Sequence, residues 1–196
     1  MLSQSNNKPV ISTVGDAVMY KALIISAKKG DASAFEELYK KLYTPLYRYV
    51  LSKCHDTSLV DDVCQQTFLR FYQALEQYEP EKTPLAYLFT IAKRLLINHK
   101  EKKTFTPSDE SFFENYKDDS VDIVGDVNIH HLASSINEYV LQLSEDEQDV
   151  IRLYFYAECT YKEISETLDK EEAYIRKIKE RALKKLRILT KHLHEA

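Results

Sequence analysis

LSEDEQDVIRLYFYAECTYKEISETLDKEEAYIRKIKERALKKLRIL, residues 143–189, is the stretch that decides the fold. Two helix starts are written into it. Ser144 with Glu147, and Thr160 with Glu163, each set a hydroxyl three residues ahead of a carboxylate, a spacing at which the two side chains satisfy orphan backbone N–H groups. They predict a helix from Ser144 to about Ala157, a short helix over 161–168 and a longer one over about 171–189. In the last of these, Ile175, Ile178, Ala182, Leu186 and Leu189 recur at helical spacing, so one face is core. Arg176, Lys177, Lys179, Arg181, Lys184 and Lys185 fall on the remaining surface. The middle helix is too short to stand alone. A short helix, a tight turn and a longer basic helix make a helix-turn-helix, whose cations suit phosphates and base edges in a major groove.

Upstream of this unit, residues 104–126 break periodicity, are acidic, and contain Pro107 and Gly125. A structureless segment of that length is uncommon inside one compact domain, so it reads as a linker between two. The first half is helical as well. Gly30 ends one helix; Asp31 or Ser33 starts the next, with Ser33 and Glu36 as a capping box. Pro45 fits the first turn of a third helix, Ser58 caps a fourth over about 59–77, and Pro84 opens a fifth that runs to about Lys103. The expected fold is all-α: a flexible arm over 1–16, a helical domain over 17–103, an acidic linker over 104–128, and a helix-turn-helix domain over 129–196.

Net charge sharpens the reading. The total is −4, yet residues 170–191 carry nine basic and three acidic side chains, against one basic and seven acidic in 104–135. One basic helix rides on an acidic scaffold, which concentrates attraction for phosphate.

The fifth helix is apolar on its Leu85, Leu88, Phe89, Ala92, Leu95 side and ends in Lys93, Arg94, Lys100, Lys102 and Lys103, with Tyr78 and Tyr87 preceding. Unstacked bases of an opened duplex need flat rings to lie on and cations to hold the strand. Phe89 reads as core; Tyr87 suits either the core or a base.

No window reaches about 18 apolar residues and the start lacks the layout of a secretory signal, so a soluble, cytoplasmic protein is expected. Cys54, Cys64 and Cys159 lack paired spacing and read as reduced structural thiols. No Gly-rich phosphate loop, metal spacing or nucleophile motif is present, which argues against an enzyme, a cofactor or a small-molecule substrate.

LVDDVCQQTFLRFYQAL at 59–75, PLAYLFTIAKRLLINH at 84–99, GDASAFEELYKKLYTPLYRYV at 30–50 and LSEDEQDVIRLYFYAECTYKEISETL at 143–168 resemble, in order, bacterial RNA polymerase sigma factors of the extracytoplasmic-function type. The resemblance implies three contacts. A helix carrying Asp61, Asp62, Gln65, Gln66 and Leu69 docks on the β′ subunit of core RNA polymerase, with β as a further partner. Tyr78, Tyr87, Lys93, Arg94, Asn98 and Lys102 hold melted minus-ten DNA. Thr160, Tyr161, Glu172, Tyr174, Arg176, Lys177, Lys179 and Arg181 read double-stranded minus-thirty-five promoter DNA; Glu172 either accepts from a cytosine amine or stays off the DNA. Such factors often have an inhibitory anti-sigma partner. The sequence departs from the family's usual residues in having Gln66 for Glu, Tyr87 for Trp, Arg94 for Asn and Asp169 for Gly, and Ile175, Arg176, Lys177 and Ile178 stand where Val-Lys-Ser-Arg is common. The alternative is a helix-turn-helix regulator that is not a polymerase subunit, which leaves the basic aromatic helix unexplained.

Overall fold

The computed structural model describes residues 14–54, 56–104 and 137–191, and among them no strand occurs. The first arm and the acidic linker therefore lie outside the described residues, save for the helical ends at 14–16 and 104. Four helices make the first domain: α1 (Val14–Lys28), α2 (Ala32–Leu51), α3 (Thr57–Ala74) and α4 (Pro84–Thr104). Gly30 has φ +91, a conformation costly to any residue with a Cβ, and it lets α1 turn into α2. Asp31 caps α2, accepting from Ser33 N at 3.0 Å and Ala34 N at 3.3 Å. The expected Ser33–Glu36 box gives way to it, and Glu36 pairs with Lys40 instead.

Two further expectations are corrected. Pro45 lies inside α2 rather than opening a new helix. Its ring removes one backbone hydrogen bond, but Leu42, Leu46, Tyr47, Tyr49 and Val50 around it are all buried, and that packing outweighs the break. The cap of α3 is Asp56, which accepts from Leu59 N; Ser58 is already within the helix. A 3-10 turn, Leu75–Gln77, ends α3.

In the second domain a helical turn at 137–140 precedes α5 (Glu145–Ile151), α6 (Tyr161–Leu168) and α7 (Glu172–Leu189). Both expected capping boxes form. The predicted helix to Ala157 instead widens into a π turn, Arg152–Tyr156, closed by Ala157 N to Arg152 O at 3.1 Å. Asp169, φ 53, makes the left-handed turn between α6 and α7.

The two domains share one core. Leu42, Tyr49 and Phe89 of the first belong to the same buried cluster as Val150, Leu153, Cys159, Ile164, Ile175 and Ile178 of the second. Helix α4 packs on α6, and α2 on the π turn. Polar bonds stitch the seam: Arg152 Nε to Ser52 O at 2.9 Å, Arg48 to Glu158 at 3.0 Å, and Thr83 N to Glu166 at 3.2 Å. The basic helix is not hidden by this closure; only Ile175, Ile178 and Ala182 of α7 are fully buried.

Candidate polymerase and nucleic-acid interfaces

The outer face of α3 follows from its inner one. Val60, Val63, Cys64, Thr67, Phe68 and Phe71 fill the core, so Asp61, Asp62, Gln65, Gln66 and Leu69 all point outward. Leu69 is 57% exposed and Tyr72, one turn on, 59%. Tyr72 was not expected at this face; it stands edge-on to Phe35 at 5.0 Å, held by the core yet open to solvent. Its i+3 spacing from Leu69 was the available signal.

Helix α4 presents two different surfaces. Arg94, Ile97 and Asn98 are exposed together on one face. Lys93 faces the second domain and donates to Asp149 at 2.7 Å. Tyr78 is 5% exposed, donates its hydroxyl to Lys82 O at 2.8 Å, and packs edge-on against Phe71; burial pushes its hydroxyl pKa up. In this conformation it is a core ring with no face open to a base. Half-buried Tyr87 leans on both, 5.2 Å from Tyr78 and 6.1 Å from Phe71. The side chain of Lys102 lies outside the described residues.

In the helix-turn-helix, two cations and two aromatic rings knit α7 to its support. The Arg176 guanidinium lies 3.9 Å over the Tyr161 ring, and its far nitrogen reaches Glu172 at 3.5 Å. Lys179 sits 4.0 Å from the centre of the Tyr154 ring and donates to the Tyr161 hydroxyl. Burial pulls the Lys179 ammonium down, but that bond and the nearby Tyr154 together raise it above its ordinary value. Tyr154, which the π turn delivers to this spot, escaped the sequence reading because helical spacing does not anticipate a widened turn. Lys177, Tyr174 and Glu172 are exposed at the start of α7, and Thr160 is spent on its capping box.

Arg181 has a different role from its neighbours. It donates to Glu147 at 2.7 Å while Lys185 takes the other carboxylate oxygen at 2.9 Å, so both tie α7 to α5. The Glu147 side chain is fully buried, yet the two cations and the Ser144 backbone outweigh its burial and hold its carboxyl down at about 2. Lys170 is likewise paired, with Asp146 at 3.0 Å. Arg176, Lys177 and Lys179 thus stand together at the front of α7, while Lys184 and Arg187 are exposed further along the helix.

Among the described residues no cluster of His, Cys, Asp and Glu is placed to hold a metal ion, and no helix is long and apolar enough to cross a membrane. Cys64 and Cys159 are buried, and burial raises both thiols, Cys64 to about 12.

A helical domain with an exposed acidic and apolar face, packed on a helix-turn-helix with exposed cations, defines a DNA-binding protein with a second, protein-facing surface. Residues 38–106 match Sigma-70 region 2 and residues 140–187 match Sigma-70, region 4, together more than half of the chain. The chain is 28% identical over 159 residues to ECF RNA polymerase sigma factor SigM of Bacillus subtilis (strain 168), covering 79% of itself and 93% of that protein. To ECF RNA polymerase sigma factor SigK of Mycobacterium ulcerans (strain Agy99) it is 26% identical over 172 residues, 85% and 90% of the two chains. The fold is similar to CnrH in complex with the cytosolic domain of CnrY, with a TM-score of 0.68, 20% identity, and coverage of 89% and 98%. It is also similar to the sigma factor RpoE in complex with the anti-sigma factor NepR from Bartonella quintana, with a TM-score of 0.62, 19% identity, and coverage of 80% and 96%. The chain belongs to the sigma-70 family, extracytoplasmic-function type: it is an RNA polymerase sigma factor, a transcription initiation factor that binds core polymerase and promoter DNA. A regulator outside the polymerase is not favoured.

Proposed function

We propose that the three surfaces divide the work of initiation. The α3 face of Asp61, Asp62, Gln65, Gln66 and Leu69, extended by Tyr72, docks on the β′ subunit. Helix α4, with Arg94 and Asn98 outward, receives the minus-ten strand as it melts; Tyr78, Tyr87 and Lys93 join it once the domains part, and Lys102 lies on the same helix. The front of α7, Glu172 to Lys179, reads the minus-thirty-five duplex with Tyr161 as a platform, while Arg181 holds the helix in place. Residues 17–103 and 129–196 act as the two binding units, with 104–128 as their tether. The factor supplies binding energy and leaves catalysis to the polymerase, in the cytoplasm. An anti-sigma protein is a fitting inhibitor, since the two solved structures named above are complexes with another protein.

The observation that carries this reading is the exposure of Leu69 and Tyr72 beside Asp62 and Gln65 on a rigid helix. A lone apolar residue at a surface is ordinary, but two on one turn, rimmed by carboxylates and amides, make a protein-binding patch. Purified protein added to core polymerase should give start-specific transcripts. Reversing charge with Asp62→Arg should weaken polymerase affinity about tenfold or more while the helical circular dichroism is kept, as expected for a charge in an interface. Unchanged affinity removes Asp62 from that interface.

A further inference from the structure

The seam between the domains holds one group that core packing does not require. Asp149, on α5, is 1% exposed, and its two carboxylate oxygens are taken by two ammonium groups of the other domain. One is Lys93, at 2.7 Å; the other is Lys53, just past the end of α2, which lies 5.6 Å over the Tyr49 ring. The Lys53 side chain is 18% exposed and that of Lys93 33%. Two lysines, one just past the end of α2 and one on α4, are thus held converging on one point, where like charges would otherwise repel. Such a pair is built around an anion.

We propose that Lys53 and Lys93 form a binding site for a DNA backbone phosphate, and that Asp149 occupies it as an internal substitute while the domains are closed. This rests on the reading of α4 as the helix that holds the promoter strand. Lys93 precedes Arg94, and a strand lying on Arg94 and Asn98 runs beside it. A phosphate offers what Asp149 offers now: two anionic oxygens, each accepting from one ammonium. Closure and strand binding then compete for the same two cations. The α3 face, the front of α7, and Arg94 and Asn98 stay exposed in the closed chain, so only the Lys53 and Lys93 part of the strand-holding surface is blocked.

Opening is within reach. Burying a carboxylate costs much of what its pairing returns. The Tyr49 hydroxyl beside this site is also buried without a hydrogen-bond partner, a further cost of the closed seam. Burial pushes the Lys53 ammonium below its ordinary value, while the two lysines hold Asp149 ionised despite its burial.

The test has two arms. In the first, the full chain is titrated with a fluorescent single-stranded oligodeoxynucleotide. Asp149→Asn should bind severalfold more tightly than the parent, and adding Lys53→Gln should cancel the gain; no tightening by a folded Asp149→Asn chain overturns the competition. The second arm keeps the proposal testable should Asp149→Asn unfold. In complex with core polymerase on a forked promoter fragment, Lys53→Gln should lower the slope of log affinity against log salt by about 0.7, the loss of one single-strand phosphate contact. If Arg94→Gln lowers the slope and Lys53→Gln does not, the phosphate site is wrong and the α4 reading survives. If neither lowers it, that reading fails too. Displacement by inorganic phosphate beyond that by chloride at equal ionic strength would assign the site to a free anion and overturn the DNA assignment.

Discussion

Glu147 offers the cleanest measurement of what holds the helix-turn-helix together. Its carboxylate is buried, closes the cap of α5 through Ser144 N at 3.0 Å, and takes Arg181 and Lys185 of α7 on separate oxygens. Glu147→Gln keeps the shape and an oxygen for the cap but removes the charge that both cations meet. A carboxyl lowered from 4.5 to about 2 corresponds to roughly 3 kcal/mol of preference for the ionised form in the folded chain. Arg181 and Lys185 are about half exposed, 56% and 49%, so water screens their outer sides and about 2 kcal/mol is expected to remain. The folded pKa is depressed, so this stability is fully present above the ordinary carboxyl value and is lost as pH falls toward about 2. Urea unfolding of the full chain followed by circular dichroism should therefore place Glu147→Gln about 2 kcal/mol below the parent at neutral pH. A thermal scan should show a fall of roughly 4–8 °C. The gap should narrow steadily in acid, as the parent loses the same charge. A neutral-pH loss below about 0.5 kcal/mol, within the range of ordinary surface changes, would show that the two pairs contribute nothing net. A loss that stays constant from neutral pH into acid would assign it to packing rather than charge.

Two further outcomes are expected. Tyr49→Phe removes the buried, unpartnered hydroxyl and should leave the full chain as stable or up to about 1 kcal/mol more so, read by the same urea titration; a loss above about 1 kcal/mol would mean the hydroxyl has a partner. Replacing Arg176 and Lys177 together by Gln should weaken binding to upstream promoter duplex and reduce its salt slope by up to about 1.8, and an unaltered slope would place both off the phosphates.

What the sequence shows best is what is decided locally. The boxes at Ser144 and Thr160 need only residues three apart, and both form. The spacing of Ile175, Ile178 and Ala182 names the buried stripe of α7 without knowledge of its partner. Pro45 misled because a local rule, that proline opens or breaks a helix, competes with burial on both sides of it, and burial is a tertiary quantity. The π turn was invisible for a related reason: one shifted hydrogen bond leaves the residue pattern of a helix almost untouched, yet it aims Tyr154 at Tyr161, 5.3 Å away, and so builds the cradle for Lys179.

The long-range pairs explain the rest. Lys53 and Asp149 are 96 residues apart, and Arg152 meets Ser52 across 100; nothing in either local pattern marks the partner. A basic residue near the end of a helix reads as a strand or phosphate contact, and by composition alone Lys93, Arg94, Arg176 and Arg181 are equivalent. The structure separates them by what each already touches. Lys93 is engaged by a carboxylate from the other domain, and Arg181 by one from its own. Arg176 is laid on an aromatic ring with its edge still outward, and Arg94 is exposed. Cations that share a charge thus differ in the cost of bringing each to a phosphate. For Arg94 the cost is little more than side-chain ordering, for Lys93 the domains must part, and for Arg181 the anchor of α7 must be given up. The order in which promoter contacts form should follow those costs, with the exposed cations engaging first and the seam opening last.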